Sequence, residues 1–340
     1  MFTKKEKSSS LTPNTHFDPD APAINEGIFG LPPKKDPQIA VIPVPWEATT
    51  SYRRGTRNGP KRLFDASMQV DLFDIDSGPV WQRGIEWSGI NPIIEELCGR
   101  AKADSVRCIE SGGKDTSAAL RVDLLAEKVN EIVADSVKSH LGKKQIPAVI
   151  GGEHSVSFGA IKAFSDLSNE KIGVLHIDAH SDLRPCYESF KWSHASVMHN
   201  VLEFCPNVGC IVQVGIRDLG KVEFDRIKKE KNRLKTFFDS KLAKELARGR
   251  SWLSLVEEVI SALPKNIWIS LDVDGLDPAY CPETGTPVPG GLSFRELVIL
   301  FEEVSKVRKI SGFDIVEIGD SEWDGNVAAR LLYKLCGWAK

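Results

Sequence analysis

The chain has no C-x-x-C pair, and its seven cysteines (98, 108, 186, 205, 210, 281 and 336) are scattered and odd in number. That argues against a disulfide scaffold and a thiolate zinc site, and for reduced thiols in an intracellular, cytoplasmic protein. Neither charge is in excess: 44 basic against 47 acidic side chains leave a formal net charge of −3. Such a balance favours neither nucleic acid nor an anionic membrane surface as a partner. No run approaches the ~20 apolar residues that a membrane span requires. The N-terminal MFTKKEKSSSLTPN lacks the apolar stretch of a secretory signal. What remains is a globular chain of 340 residues, 41% hydrophobic and 27% charged, able to bury a sizeable core. Any metal chemistry must use histidine and carboxylate.

Residues 1–36 are proline-rich and carry the Ser8-Ser9-Ser10 run, which predicts an irregular arm. Beyond it, short apolar runs recur at 38–44, 147–150, 172–177, 210–214, 267–271 and 309–315. Near-continuous apolar runs bounded by turns suit strands buried on both faces of a parallel sheet. Helical spacing fills the intervals at 118–141, 158–167, 252–262, 293–304 and 326–336. In the first of these, Leu120, Leu124, Leu125, Val129, Ile132, Val133 and Val137 form the expected buried stripe. The alternation predicts an α/β fold: a three-layer α-β-α arrangement with a doubly wound, mainly parallel sheet. With no internal repeat and no linker, residues 37–340 read as one domain. In such sheets ligands sit beyond the carboxyl ends of the strands.

Acidic and imidazole side chains cluster where the apolar runs end. Gly151-Gly-Glu-His-Ser155 follows one run and Asp178-Ala-His-Ser-Asp182 the next. Asp272, Asp274 and Asp277 follow a third, and Asp314 and Glu317 a fourth. A lone D-x-D at a strand end is commonly a turn or a helix cap. Several converging at one edge would repel one another by several kcal/mol unless a cation neutralised them. Asp178-x-His180-x-Asp182 has the two-residue period of extended chain, so its three side chains can share one crevice, and Asp272-x-Asp274 repeats the pattern. With His154 they form an oxygen-rich set able to hold two ions ~3.5–4 Å apart. Such donors suit Mn²⁺, with Ni²⁺, Fe²⁺ or Co²⁺ as alternatives, and a site that ionises water near neutral pH is built for hydrolysis. His176, inside a strand, reads as a core hydrogen-bonding residue, Glu153 as an orienting group or cap, and Arg217 as a structural ion-pair partner. Gly285 reads as loop geometry near the site.

GGEHS, DAHSD, SLDVDGLDPAYCPETGTPVPGGLS and DIVE, in this order, resemble the motifs of the ureohydrolase (arginase/agmatinase) family. Gly55-Thr-Arg-Asn-Gly-Pro60 is similar to that family's N-terminal loop. The resemblance implies one divalent ion held by His154, Asp178, Asp182 and Asp272. It implies a second held by Asp178, His180, Asp272 and Asp274. Asp182 would also handle a proton, Glu317 would bind the guanidinium, and His194 would shuttle protons at the substrate. It further implies a homo-oligomer, a trimer or hexamer. Family members that take L-arginine have an Asn at the position of Arg184 and an acidic residue at that of Gly220, so both departures count against L-arginine. The expected reaction is agmatine to putrescine and urea, a step of polyamine biosynthesis. Arg184 could instead pair with a substrate carboxylate, as in 4-guanidinobutyrate or another guanidino acid, and free guanidine is a further alternative. Readings of another class are an inactive metal-binding paralogue and a deacetylase-like enzyme with one ion.

Overall fold

The apolar runs are strands, and in those at the centre of the sheet nearly every residue is buried. The computed structural model describes residues 17–23 and 27–340; the remainder of the proline-rich arm, with His16, lies outside the described residues. The strands are β1 Ile39–Val44, β2 Ile85–Trp87, β3 Ile146–Gly151, β4 Ile172–Ile177, β5 Val208–Ile216, β6 Leu234–Phe238, β7 Asn266–Asp272 and β8 Lys309–Val316. They form one sheet in the order β2-β1-β3-β8-β7-β4-β5-β6, parallel throughout. Helices α1 Gly59–Ser67, α2 Pro92–Glu110, α3 Thr116–Gly142, α4 Ser157–Leu167 and α5 Val197–Phe204 occupy the first part of the chain. Helices α6 Lys221–Lys229, α7 Asp239–Ala247, α8 Trp252–Ser261, α9 Phe294–Val307 and α10 Glu322–Trp338 follow. Two apolar clusters, divided by the sheet, form the core, as the α/β expectation requires. No helix among the described residues is long and apolar enough to cross a membrane.

Two strands and several helices were not legible. β2 has three residues, and only Ile85 is buried; so short a run carries no period. β6, LKTFF, is an edge strand with only Leu234 buried. The stripe expected on α3 holds at Val129, Val133 and Val137 but fails at its start, where Leu120 and Leu124 are 61% and 51% exposed. The buried face is Ala118, Ala119, Val122, Ala126, Val129, Val133 and Val137, where α3 lies against α2 and α4. Small residues let helices approach closely, so the contact face follows the alanines rather than the leucines. Part of the arm folds onto the body. Ile28, Phe29 and Leu31 are buried, and the Phe29 ring lies 4.8 Å from that of Tyr333 on α10.

The strand order is what positions the site. β3, β8, β7 and β4 are consecutive neighbours at the centre of the sheet. Ile177 pairs with Leu271 and Asp272 with Val316, so the residues after these strands emerge side by side. Asp314, expected at the strand end, is instead inside β8 and fully buried.

Candidate active site

His154 opens a short 3-10 turn just beyond β3, and its imidazole is buried. Its Nε2 lies 2.9 Å from Ser270 Oγ, and that hydroxyl donates to Asp314 Oδ1 at 2.8 Å. Because the serine proton goes to Asp314, Nε2 must carry the hydrogen, and Nδ1 is the nitrogen left to take a second proton or a cation. Asp314 is fixed in turn by Ser157 Oγ at 2.8 Å and Trp268 Nε1 at 2.6 Å. That Nδ1 has no hydrogen-bond partner. It faces Asp182, Asp178 and Asp272 at 3.0, 3.2 and 3.4 Å. An orphaned buried nitrogen among three carboxylates fits a cation.

The carboxylates share a pattern in which one oxygen locks backbone and the other faces inward. Asp178 Oδ1 accepts from His180 N at 2.5 Å, Asp272 Oδ1 from Asp274 N at 2.8 Å, and Asp274 Oδ1 from Ala179 N at 2.9 Å. Around His180, Nδ1 lies 3.0 Å from Asp274 Oδ2 and 3.5 Å from Asp178 Oδ1. Asp178 therefore presents one oxygen to the His154 side and one to the His180 side. Two overlapping groups with metal-ligand spacing result: His154, His176, Asp178 and Asp182, and Asp178, His180 and Asp274. His176 is already saturated, since Gln213 Nε2 donates to its Nδ1 at 3.1 Å and its Nε2 donates to Asp178 at 2.8 Å. It steadies Asp178 and has no lone pair to offer, in line with its core reading.

Electrostatics show what the cluster lacks. Burial works to lower the His180 imidazole, yet Asp274 and Asp178 overcome it and push it up to about 12. His154 is likewise raised, against burial, by Asp178, Asp182 and Asp272. Burial and the Asp178 charge push Asp182 up to about 6. So many buried carboxylates call for positive charge, which protons or cations can supply.

Glu317, just past β8, is buried. Its Oε1 accepts from His154 N at 2.8 Å, and Thr284 Oγ1 donates to its backbone carbonyl at 2.8 Å. A Cβ at Gly285 would stand 3.0 Å from Glu317 Oε2, so that glycine leaves this oxygen room. Burial, and then the charge of Glu153, raise the Glu317 carboxyl well above its ordinary range; a cationic ligand would restore its ionisation. Glu317 and Asp182 both adopt positive φ, 60° and 53°. Such backbone strain in a non-glycine residue costs ~1–3 kcal/mol and collects at functional sites.

The site opens into a cleft of about 280 Å³ lined by His180, Asp182, Arg184, Tyr187, His194 and Asp218, among others. Arg184 is held at the rim: its Nε lies 3.3 Å from Glu223, and its guanidinium stacks 5.1 Å from the Tyr187 ring centroid. Asp218 is exposed, 4.0 Å from His180 Nε2. Arg217 is structural as expected, although its partners are the carbonyls of Gly215, Asp274, Leu276 and Val288 rather than an acid. His194 is half-buried, its ring edge-on to Tyr187. Burial, with the positive charges of His180 and His154, pushes it down to about 4, below the unperturbed value of ~6.5 expected for a proton shuttle. Ser270 behind His154, Gln213 behind His176 and Thr49 beside His194 gave no sequence signal as site residues; Asp314 gave one, but as a strand-end group rather than the buried partner of Ser270.

Residues 37–337 match the Arginase family. Among curated proteins the chain is 31% identical to the N(1)-aminopropylagmatine ureohydrolase of Synechocystis sp., over 89% of each chain. It is 26% identical to the agmatinase of Pyrococcus horikoshii, over 89% of this chain and 92% of that one. Among solved structures, the agmatine ureohydrolase of Thermoplasma volcanium superposes with a TM-score of 0.71 at 26% identity, covering 94% of this chain and 92% of that one. The chain belongs to the arginase family. It is a hydrolase of the ureohydrolase class.

Proposed function

We propose that residues 37–340 form one catalytic domain that hydrolyses an aminoalkyl guanidine, agmatine first, to urea and the amine. The observation that carries this reading is the unpartnered, buried Nδ1 of His154 facing three carboxylates while Glu317, bonded to the backbone of that same histidine, keeps one oxygen free. His154, Asp178, Asp182 and Asp272 would hold one divalent ion, and Asp178, His180, Asp272 and Asp274 the other. Mn²⁺ suits this oxygen-rich, thiolate-free set, with Ni²⁺ the alternative that metal analysis separates. Two such ions would lower the pKa of a water molecule and so supply a nucleophile near neutral pH.

The chain's own groups do the rest. Glu317 Oε2 accepts guanidinium N–H bonds and holds the carbon in place, since a planar cation with paired donors fits a carboxylate. Asp182, beside the attacking water, takes its proton. His194 passes a proton to the departing nitrogen, which can leave only as an amine. By resemblance, the enzyme assembles as a trimer or hexamer, which light scattering would establish.

The rim supports a cationic tail. The charge of Arg184 is balanced by Glu223, and Gly220 offers no side chain to read an α-amino group. Asp218 remains exposed to meet an amine. L-Arginine should therefore show a much lower kcat/KM than agmatine or its aminopropyl derivative in a urea-release panel, the ratio that reports transition-state discrimination. L-Arginine as the best substrate would overturn this, and a carboxylate-tailed guanidine as the best would return Arg184 to the substrate.

Metal binding should release protons. His154 and His180 are raised above their ordinary range in the metal-free site, and ligands bind ions only when deprotonated. Raising the pH therefore favours the metal-bound form, and acid favours release. Calorimetry in buffers of differing ionisation heat should show net proton release per ion; zero release would contradict the proposed ligands.

A further inference from the structure

Glu153 stands beside His154 but points away from the ligands. It is fully buried and accepts from Ala48 N at 2.9 Å, Thr49 N at 2.7 Å, Thr49 Oγ1 at 3.0 Å, Thr50 Oγ1 at 3.3 Å and Ser155 Oγ at 2.6 Å. It thereby ties the loop after β1 to the turn after β3. That loop brings Thr49 to His194. Thr49 Oγ1 accepts from His194 N at 3.0 Å and lies 3.0 Å from His194 Nδ1.

A hydroxyl has one proton and two lone pairs. At 3.0 Å from a carboxylate oxygen the Thr49 proton must point to Glu153, because the unprotonated alternative sets lone pairs against a charged acceptor. One lone pair then takes the His194 backbone N–H, and the other is open to the ring. His194 Nδ1 can fill that place only as a donor. Nε2 has no hydrogen-bond partner among the described residues, and the ring lines the cleft.

We propose that Thr49 is a positioning residue that, backed by Glu153, locks His194 as the Nδ1–H tautomer and reserves Nε2 for the substrate's proton. The inference rests on His194 being the shuttle. An imidazole free to swap tautomers, or to turn over, would spend part of its time with the wrong nitrogen toward the cleft. The effect belongs to the chemical step, because Thr49 touches neither Glu317 nor the candidate ligands in any hydrogen bond.

Thr49→Val keeps the shape and the backbone N–H to Glu153 while removing the hydroxyl. Groups that orient a site residue from behind typically contribute about 10–100-fold in activity. Thr49→Val should lose kcat by about that factor with KM and metal content unchanged, and Thr49→Ser should restore it. The independent readout is the tautomer. In ¹⁵N-histidine-labelled full-length protein loaded with diamagnetic Mg²⁺ or Zn²⁺, His194 should show a protonated Nδ1 and a bare Nε2, assigned by its disappearance in His194→Asn. An Nε2–H tautomer in the wild type overturns the inference whatever the kinetics. Unchanged kcat in Thr49→Val, where His194→Asn is impaired, overturns it and leaves the shuttle standing. A wild type with the Nδ1–H tautomer but an active His194→Asn would instead sink the shuttle reading and with it the catalytic purpose assigned to Thr49.

Discussion

Asp178→Ala should lose more than one divalent ion per chain and all measurable urea release. Asp178 serves both halves of the cluster, Oδ2 lying 3.2 Å from His154 Nδ1 and Oδ1 3.5 Å from His180 Nδ1. Its removal takes a ligand from each ion and leaves His176 Nε2 without its acceptor. By contrast His180→Ala removes a group that belongs to one half only, and should cost mainly one ion. Metal analysis after gel filtration gives the count directly. An Asp178→Ala protein that kept two tightly bound ions would refute the bridging role, and a wild type that binds only one would refute the two-ion site.

His194→Asn should keep both ions and a near-normal KM yet lose about 10²–10⁴ in kcat, the range set by a positioned acid–base group. That corresponds to about 3–5 kcal/mol of barrier. Substrate grip survives because Glu317 is anchored by His154 N and Thr284 rather than by His194. Added imidazole should restore part of the rate by carrying the same proton. Burial and neighbouring positive charge hold this ring down at about 4, so at neutral pH it must first accept a proton before handing it to the departing nitrogen. Full kcat in the variant would place the proton route elsewhere.

Sequence alone determined the parallel α/β architecture and the acidic and imidazole groups that form the cluster. Both are written in short-range order: apolar runs of strand length bounded by turns, and Asp178, His180 and Asp182 at alternate positions just past one of them. A fully buried strand needs no partner to be recognised by its composition, and alternate spacing just past its end marks residues that can share a crevice, although Asp182 turns in through a left-handed backbone rather than extended chain. The substitutions at Arg184 and Gly220 were equally visible.

Tertiary structure decided everything that depends on which distant residues meet. The order β3-β8-β7-β4 makes four separate motifs into one site, and no local period encodes strand order. The hydroxyl that sets the His154 tautomer comes from Ser270, 116 residues away, and the one beside the His194 ring from Thr49, 145 residues away. His176 is excluded as a ligand only because Gln213 on β5 occupies its second nitrogen. Arg184 is engaged at the rim because Glu223 on α6 reaches it. α3 buries its alanines rather than its leucines because α2 and α4 lie against that face. Composition and spacing name the groups that can bind and react. Which lone pair, which tautomer and which face is left free is set by hydrogen-bond saturation and close packing, and these exist only once the chain has folded.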